Sequence, residues 1–162
     1  MFVTTTVTSW LPIFNYEDAA STALTQLDET SECFDVSIVA YVLMPSHFHA
    51  LLGFKNVGLL SRFMQIFKSL SSRKIKALHT GELKTGQYES DRFRLWKPRF
   101  DDLPIISEEQ FKIKVNNIHN NAVKAGLVSN AVDWPYSSAR QWMLYDNVDK
   151  SFKDLIDSVV HS

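Results

Sequence analysis

Two strand-like runs hinged on one proline constrain this chain more than any other feature. Residues 34–43 alternate Phe34, Val36 and Ile38 against Asp35 and Ser37, and residues 47–54 resume the pattern after Met44-Pro45-Ser46. Proline donates no backbone hydrogen bond and biases its predecessor to extended geometry, so it ends a strand, and the two runs read as a hairpin. On a strand, residues two apart share a face, so His47 and His49 point together while Phe48 points away. Two imidazoles placed so can share one metal ion, because neutral His is a common metal ligand. Without further context the same pair also reads as two ordinary polar-face residues.

The flanking segments supply that context. Residues 2–8 are rich in β-branched side chains and predict a strand. Residues 16–30 place Ala19, Ala20, Ala23, Leu24 and Leu27 at helical spacing. A second helix is expected over 58–78, with Leu59, Phe63, Ile66, Phe67 and Leu70 as its buried stripe and Arg62, Gln65, Ser69, Ser72, Arg73 and Lys76 outward. Residues 79–106 are interrupted by Gly81, Gly86, Pro98 and Pro104, with a short possible strand at Phe93-Arg94-Leu95-Trp96. The third helix is the best specified. Ser107 is a natural N-cap, Gln110 can reach back to it, and Gly126 supplies the stop. Phe111, Val115, Ile118, Ala122 and Ala125 form its apolar stripe, and Lys114, Asn117, Asn121 and Lys124 a polar one. A β-α-β-β-α order followed by a further strand and helix predicts an α+β fold, an antiparallel sheet with helices packed on it.

Charge is divided along the chain. The net charge is only −1, yet residues 1–61 carry six acids against Lys55 alone, whereas residues 62–99 carry ten bases against Glu82, Glu89 and Asp91. A basic middle segment is what a footprint for phosphates looks like, although a solvated helix face gives the same pattern. The single cysteine, Cys33, excludes a disulfide framework and a Cys-based zinc site. No apolar run approaches the ~20 residues of a membrane span, and the basic n-region of a secretory signal is missing. One domain over residues 1–162, by default in the cytoplasm and with no membrane partner, is therefore expected.

Tyr41-Val42-Leu43-Met44-Pro45-Ser46-His47-Phe48-His49-Ala50-Leu51-Leu52 resembles the HUH block of single-tyrosine insertion-sequence transposases, especially the REP-associated tyrosine transposases. The likeness continues at Phe67-Lys68-Ser69 and at Leu95-Trp96-Lys97-Pro98-Arg99-Phe100-Asp101-Asp102. It is strong again at 118–128, beginning Ile118-His119-Asn120-Asn121, and at Asp133-Trp134-Pro135-Tyr136-Ser137-Ser138-Ala139. These blocks stand in family order over roughly residues 2–140. The resemblance implies a ferredoxin-like fold, a homodimer, and cleavage and joining of single-stranded DNA beside a hairpin. In that scheme a tyrosine on the third helix attacks the scissile phosphate and stays linked to its 5′ side. The paired histidines hold a divalent ion, magnesium or manganese, that polarises the phosphate. A polar residue four positions beyond the tyrosine adds a ligand, which here is Asn121.

The chain departs from that pattern at the nucleophile. The family's tyrosine position is Asn117, whose carboxamide cannot form a phosphotyrosine link. The block's usual proline is Ala122. Of the tyrosines at 16, 41, 88, 136 and 145, Tyr88 is the one substitute to entertain, Tyr136 reads as packing, and His119 as a helix-surface or supporting residue. Arg62, Lys68, Arg73, Lys74, Lys76, Arg92, Arg94, Lys97 and Arg99 are candidates for phosphate contacts, and Lys124 flanks the expected metal. Trp96 and Phe100 could stack on unpaired bases, though a core role is the commoner one for either. Two functions follow: an active DNA-nicking transposase using another nucleophile, or a non-cleaving module that binds DNA hairpins. A water-using phosphodiesterase is a third, but its general base is not identifiable.

Overall fold

The computed structural model describes residues 1–79, 88–89 and 92–144. In chain order they form β1 (Phe2–Thr6), α1 (Glu17–Phe34), β2 (Val36–Leu43), β3 (His47–Phe54), α2 (Leu60–Leu78), β4 (Tyr88–Glu89), β5 (Arg92–Phe93), β6 (Asp101–Leu103), α3 (Glu108–His119), α4 (Asn121–Lys124) and α5 (Ala139–Leu144). The main sheet has the order β2-β3-β1-β6, every neighbour antiparallel, while β4 and β5 pair only with each other. This is the expected α+β, ferredoxin-like arrangement. No helix among the described residues is long and apolar enough to cross a membrane.

Each face of the sheet carries its own core. Phe48, Ala50, Leu52 and Phe54 of β3 meet α1 through Ala19, Ala20, Ala23 and Leu27, and α2 through Phe63, Met64 and Phe67. The opposite face meets α3 and α4: Leu51, Ala40 and Val42 pack with Phe111, Val115, Ile118 and Ala122. A bulge in β2 makes this two-sided burial possible. Ile38 lies opposite Leu52 but Ala40 lies opposite Leu51, so the strand gains one residue between them. Val36 and Ile38 therefore serve the first core, and Ala40 and Val42 the second, which strict alternation would forbid.

Several element boundaries differ from the sequence reading. Helix α1 continues through Phe34, which was expected in the following strand. Asp35 then stops it at φ 53°, with its N–H bonded to the carbonyls of Ser31 and Glu32. Acidic and amide side chains tolerate this left-handed geometry better than most, a preference that hydrophobic alternation does not reveal. Phe34 instead packs edge-on against Phe63 at 5.8 Å. In α2 the buried side is Leu60, Phe63, Met64, Phe67, Ser71 and Ile75, whereas Leu59 is exposed and precedes the helix. The fourth strand of the sheet is β6, not 93–96, of which Trp96 contributes a single bridge to Val7. All three β6 residues are exposed, so no apolar alternation marked it.

Helix α3 begins as expected: Ser107 Oγ accepts from the Gln110 N–H at 3.1 Å. Gln110 reaches back one residue further than a capping box requires, its Oε1 accepting from the Ile106 N–H at 2.9 Å. The helix breaks at Asn120, restarts as α4, and stops at Gly126 with φ 74°. Beyond it, residues 134–142 close the free edge of β2. The Leu43 N–H donates to the Tyr136 carbonyl at 2.8 Å, and the indole N–H groups of Trp134 and Trp142 donate to the carbonyls of Leu43 and Val39. Covering an edge this way removes a template for unwanted strand pairing.

One buried polar contact joins α2 to the segment before β6: the Trp96 indole N–H donates to Ser71 Oγ at 2.9 Å, both residues being buried. Ser71→Ala leaves that N–H without an acceptor and is expected to cost about 1–3 kcal/mol in urea unfolding. Adding Trp96→Phe removes the orphaned donor, so the double mutant should lose less than the sum of the two single losses.

Candidate functional site

Because β3 is hydrogen-bonded on both sides, its histidines sit in the middle of the sheet rather than at an edge. Their rings are 5.0 Å apart between centroids and nearly perpendicular, at 78°. In the antiparallel register Thr4 lies directly opposite His49, and Thr4 Oγ1 is 2.7 Å from His49 Nδ1. That bond occupies one ring nitrogen and leaves Nε2 as the available donor atom. Phe2 stacks on the same ring at 5.8 Å, and the Lys114 ammonium of α3 stands 4.4 Å over Phe2. His47 Nδ1 is 3.3 Å from Ser46 Oγ.

This environment keeps both imidazoles neutral. Burial lowers the pKa of His49 to about 4, helped by the charges of His47 and Lys114. Burial lowers His47 as well, opposed by a hydrogen bond with the Asn121 side chain. An interaction that favours the protonated ring is what an amide oxygen facing it supplies. Thus the Asn121 side chain stands beside His47. Asn117 lies four residues earlier, on α3, and its Oδ1 accepts a hydrogen bond from Lys124 Nζ at 3.1 Å. Among the described residues no three His, Cys, Asp or Glu side chains group closely enough to hold a metal.

His119 is neither a surface residue nor part of this group. Its Nε2 lies 2.8 Å from Ser138 Oγ, and its ring meets Trp142 edge-on at 5.5 Å. Burial lowers its pKa to about 4, and it fastens α3 to the segment that covers β2. The tyrosines are likewise elsewhere. Tyr41 lies opposite Ala50, on the far face of the sheet, while Tyr16 packs on His79 and Tyr136 on Trp134. Tyr88 pairs with Phe93 in the small hairpin, and Tyr145 falls outside the described residues.

The basic residues divide into groups. Lys68, Arg73, Lys76 and Lys97 line one groove of about 640 Å³ between α2 and residues 93–100, together with Arg94 and, among the described residues, no acidic side chain. Within it, Lys68 Nζ donates to the carbonyls of Lys97, Pro98 and Arg99 at 2.6, 3.0 and 3.3 Å, which ties that segment to α2. Burial and the nearby Arg94 lower its pKa to about 8. Lys74 turns the other way and pairs with Glu29 on α1 at 2.7 Å. Arg62 and Arg99 are exposed outside the groove, and Lys124 stands over Asn117. Trp96 is buried in the core, which removes it as a stacking surface; Phe100 is half-buried, with Lys68 Nζ 5.9 Å from its ring. Arg92 is on β5. Sequence reasoning singled out neither Thr4 nor Phe2, because only the register of β1 against β3 brings them to His49.

Comparisons with known proteins agree with this arrangement. The chain is similar to the structure of a REP-associated tyrosine transposase bound to a REP hairpin, at 18% identity and a TM-score of 0.66, covering 88% of this chain and 78% of that one. It is also similar to a putative transposase from Deinococcus radiodurans R1, at 16% identity and a TM-score of 0.51, covering 78% of this chain and 88% of that one. At these identities the likeness is one of fold. No curated protein matches the sequence. The sequence model described as "Transposase IS200 like" matches residues 6–120, a stretch that takes in both strand histidines and the helix facing them. The chain belongs to the IS200-like transposase family.

Proposed function

We propose that this chain binds hairpin-bearing single-stranded DNA and holds a divalent ion at His47, His49 and Asn121, but does not form a covalent link to DNA. The observation that carries the last point is Asn117. It stands where the family resemblance puts the nucleophile, its amide engaged by Lys124. A carboxamide has no oxygen that can attack a phosphate and remain esterified to it. A protein of the same fold is bound to a hairpin, and the groove lined by basic side chains supports a phosphate-bearing partner here.

The residues present fit a divalent ion. Two neutral imidazoles on β3 and the Asn121 amide oxygen beside His47 would make a donor set that leaves room for water or phosphate oxygens. Magnesium or manganese bound there would polarise a phosphate oxygen and draw the strand into place. The protein's own part is to keep the rings neutral and oriented, through Thr4 on His49 and Ser46 on His47, and to set the Lys124 cation beside that phosphate.

A labelled hairpin oligonucleotide incubated with the protein and manganese should shift on a native gel and show no adduct on a denaturing one. A protease-sensitive covalent band would overturn the non-cleaving reading in favour of an active transposase with another nucleophile. Asn117→Tyr should produce such a band if only the nucleophile has been lost. For the metal, His47→Ala combined with His49→Ala is expected to weaken manganese binding by at least roughly ten-fold in calorimetry; unchanged affinity would remove the site. Arg73→Gln should lower the slope of log K against log salt by about 0.7, the loss of one contact to a single-stranded phosphate.

A further inference from the structure

Trp10 is placed in a way the core does not require. It is 58% exposed, and Ser9 and Trp10 both adopt the left-handed backbone region, at φ 58° and 55°. Two successive non-glycine residues there are strained, and such strain persists only when the surroundings impose it. Here they do. The Trp10 N–H donates to the Val7 carbonyl at 3.0 Å, Val7 N–H to Ser46 at 2.8 Å, Thr8 N–H to Leu95 at 2.8 Å, and Phe14 N–H to Pro45 at 3.1 Å. The turn is pinned onto the Pro45-Ser46 hinge that introduces His47. What it presents is an indole in solvent, edge-on to His47 at 5.9 Å, with the Lys97 ammonium 4.6 Å over its ring.

We infer that Trp10 is a stacking platform for one unpaired nucleobase, with Lys97 holding that nucleotide's phosphate, at the point where a single strand passes from the α2 groove to the histidine pair. Lys97 belongs to both places: it lines the groove with Arg73 and Lys76, and it caps Trp10. A flat aromatic face with a cation on one side and the His47 imidazole beside it suits a base on a phosphodiester backbone. Stacking of this kind is indifferent to sequence, since every base has a π-face, so Trp10 fixes the strand's position rather than its identity. The inference rests on the reading that the chain binds single-stranded DNA.

The test compares a blunt hairpin with the same hairpin carrying an unpaired extension that contains one 2-aminopurine. The wild-type protein should bind the extended oligonucleotide more tightly and quench the fluorescent base. Trp10→Gly remains folded, because glycine adopts the φ without strain. It should lose roughly ten-fold in affinity for the extended oligonucleotide, the scale of one base–aromatic stack, keep its affinity for the blunt hairpin, and abolish the quench. Trp10→Phe should retain the quench and most of the affinity. Equal loss on both oligonucleotides, no loss on either, or a quench that survives Trp10→Gly would overturn the platform while leaving hairpin binding intact. If the wild-type protein bound neither oligonucleotide, the parent reading would fall as well, a result distinct from the others.

Discussion

Everything in this structure depends on β3 being hydrogen-bonded along both edges. Flanked by β2 and β1, the strand cannot slip by one residue without exchanging its two faces, and each face is committed. Phe48, Ala50, Leu52 and Phe54 fill the core beneath α1 and α2. Leu51 joins the smaller core beneath α3, and His47 and His49 continue the same face toward the hinge. The histidines therefore inherit their rigidity from apolar residues that alternate with them. A pair of ligands on a loop would not be held so.

Burial of that second face also sets the chemistry. Half-buried beneath α3, both rings lose basicity, and the Lys114 cation on the same helix adds to the effect at His49. A neutral imidazole is the form that offers a lone pair, so the packing that stabilises the sheet also prepares the donor atoms. Fold and histidines are tied together because they share a strand, whereas Asn117 on α3 is a single polar side chain outside the apolar stripe of that helix.

The basic segment shows how misleading charge along a sequence can be as a map of a surface. Lys68 spends its ammonium on three backbone carbonyls and Lys74 pairs with Glu29, so two of the expected phosphate ligands have internal work. Arg73, Lys76 and Arg94 converge with Lys97 on one groove because residues 93–100 fold back along α2, a contact over long sequence separation that no local pattern encodes. The same fold-back buries Trp96, leaving Trp10 as the exposed indole near the histidines.

The sequence by itself determined the hairpin at Pro45, the shared face of His47 and His49, the cap at Ser107 and the stop at Gly126. Each is a local property, written in period, turn chemistry or residue type within a few positions. Tertiary structure decided the rest. It chose the register that sets Thr4 against His49, the bulge that turns β2 from one core to the other, the fourth strand at Asp101–Leu103, and the joining of His119 to Ser138. These depend on which distant segments meet, and an exposed three-residue edge strand or a one-residue bulge has no periodic signal of its own. That the two histidines share a face was legible from the chain; what surrounds them became so only once β1 and α3 were placed.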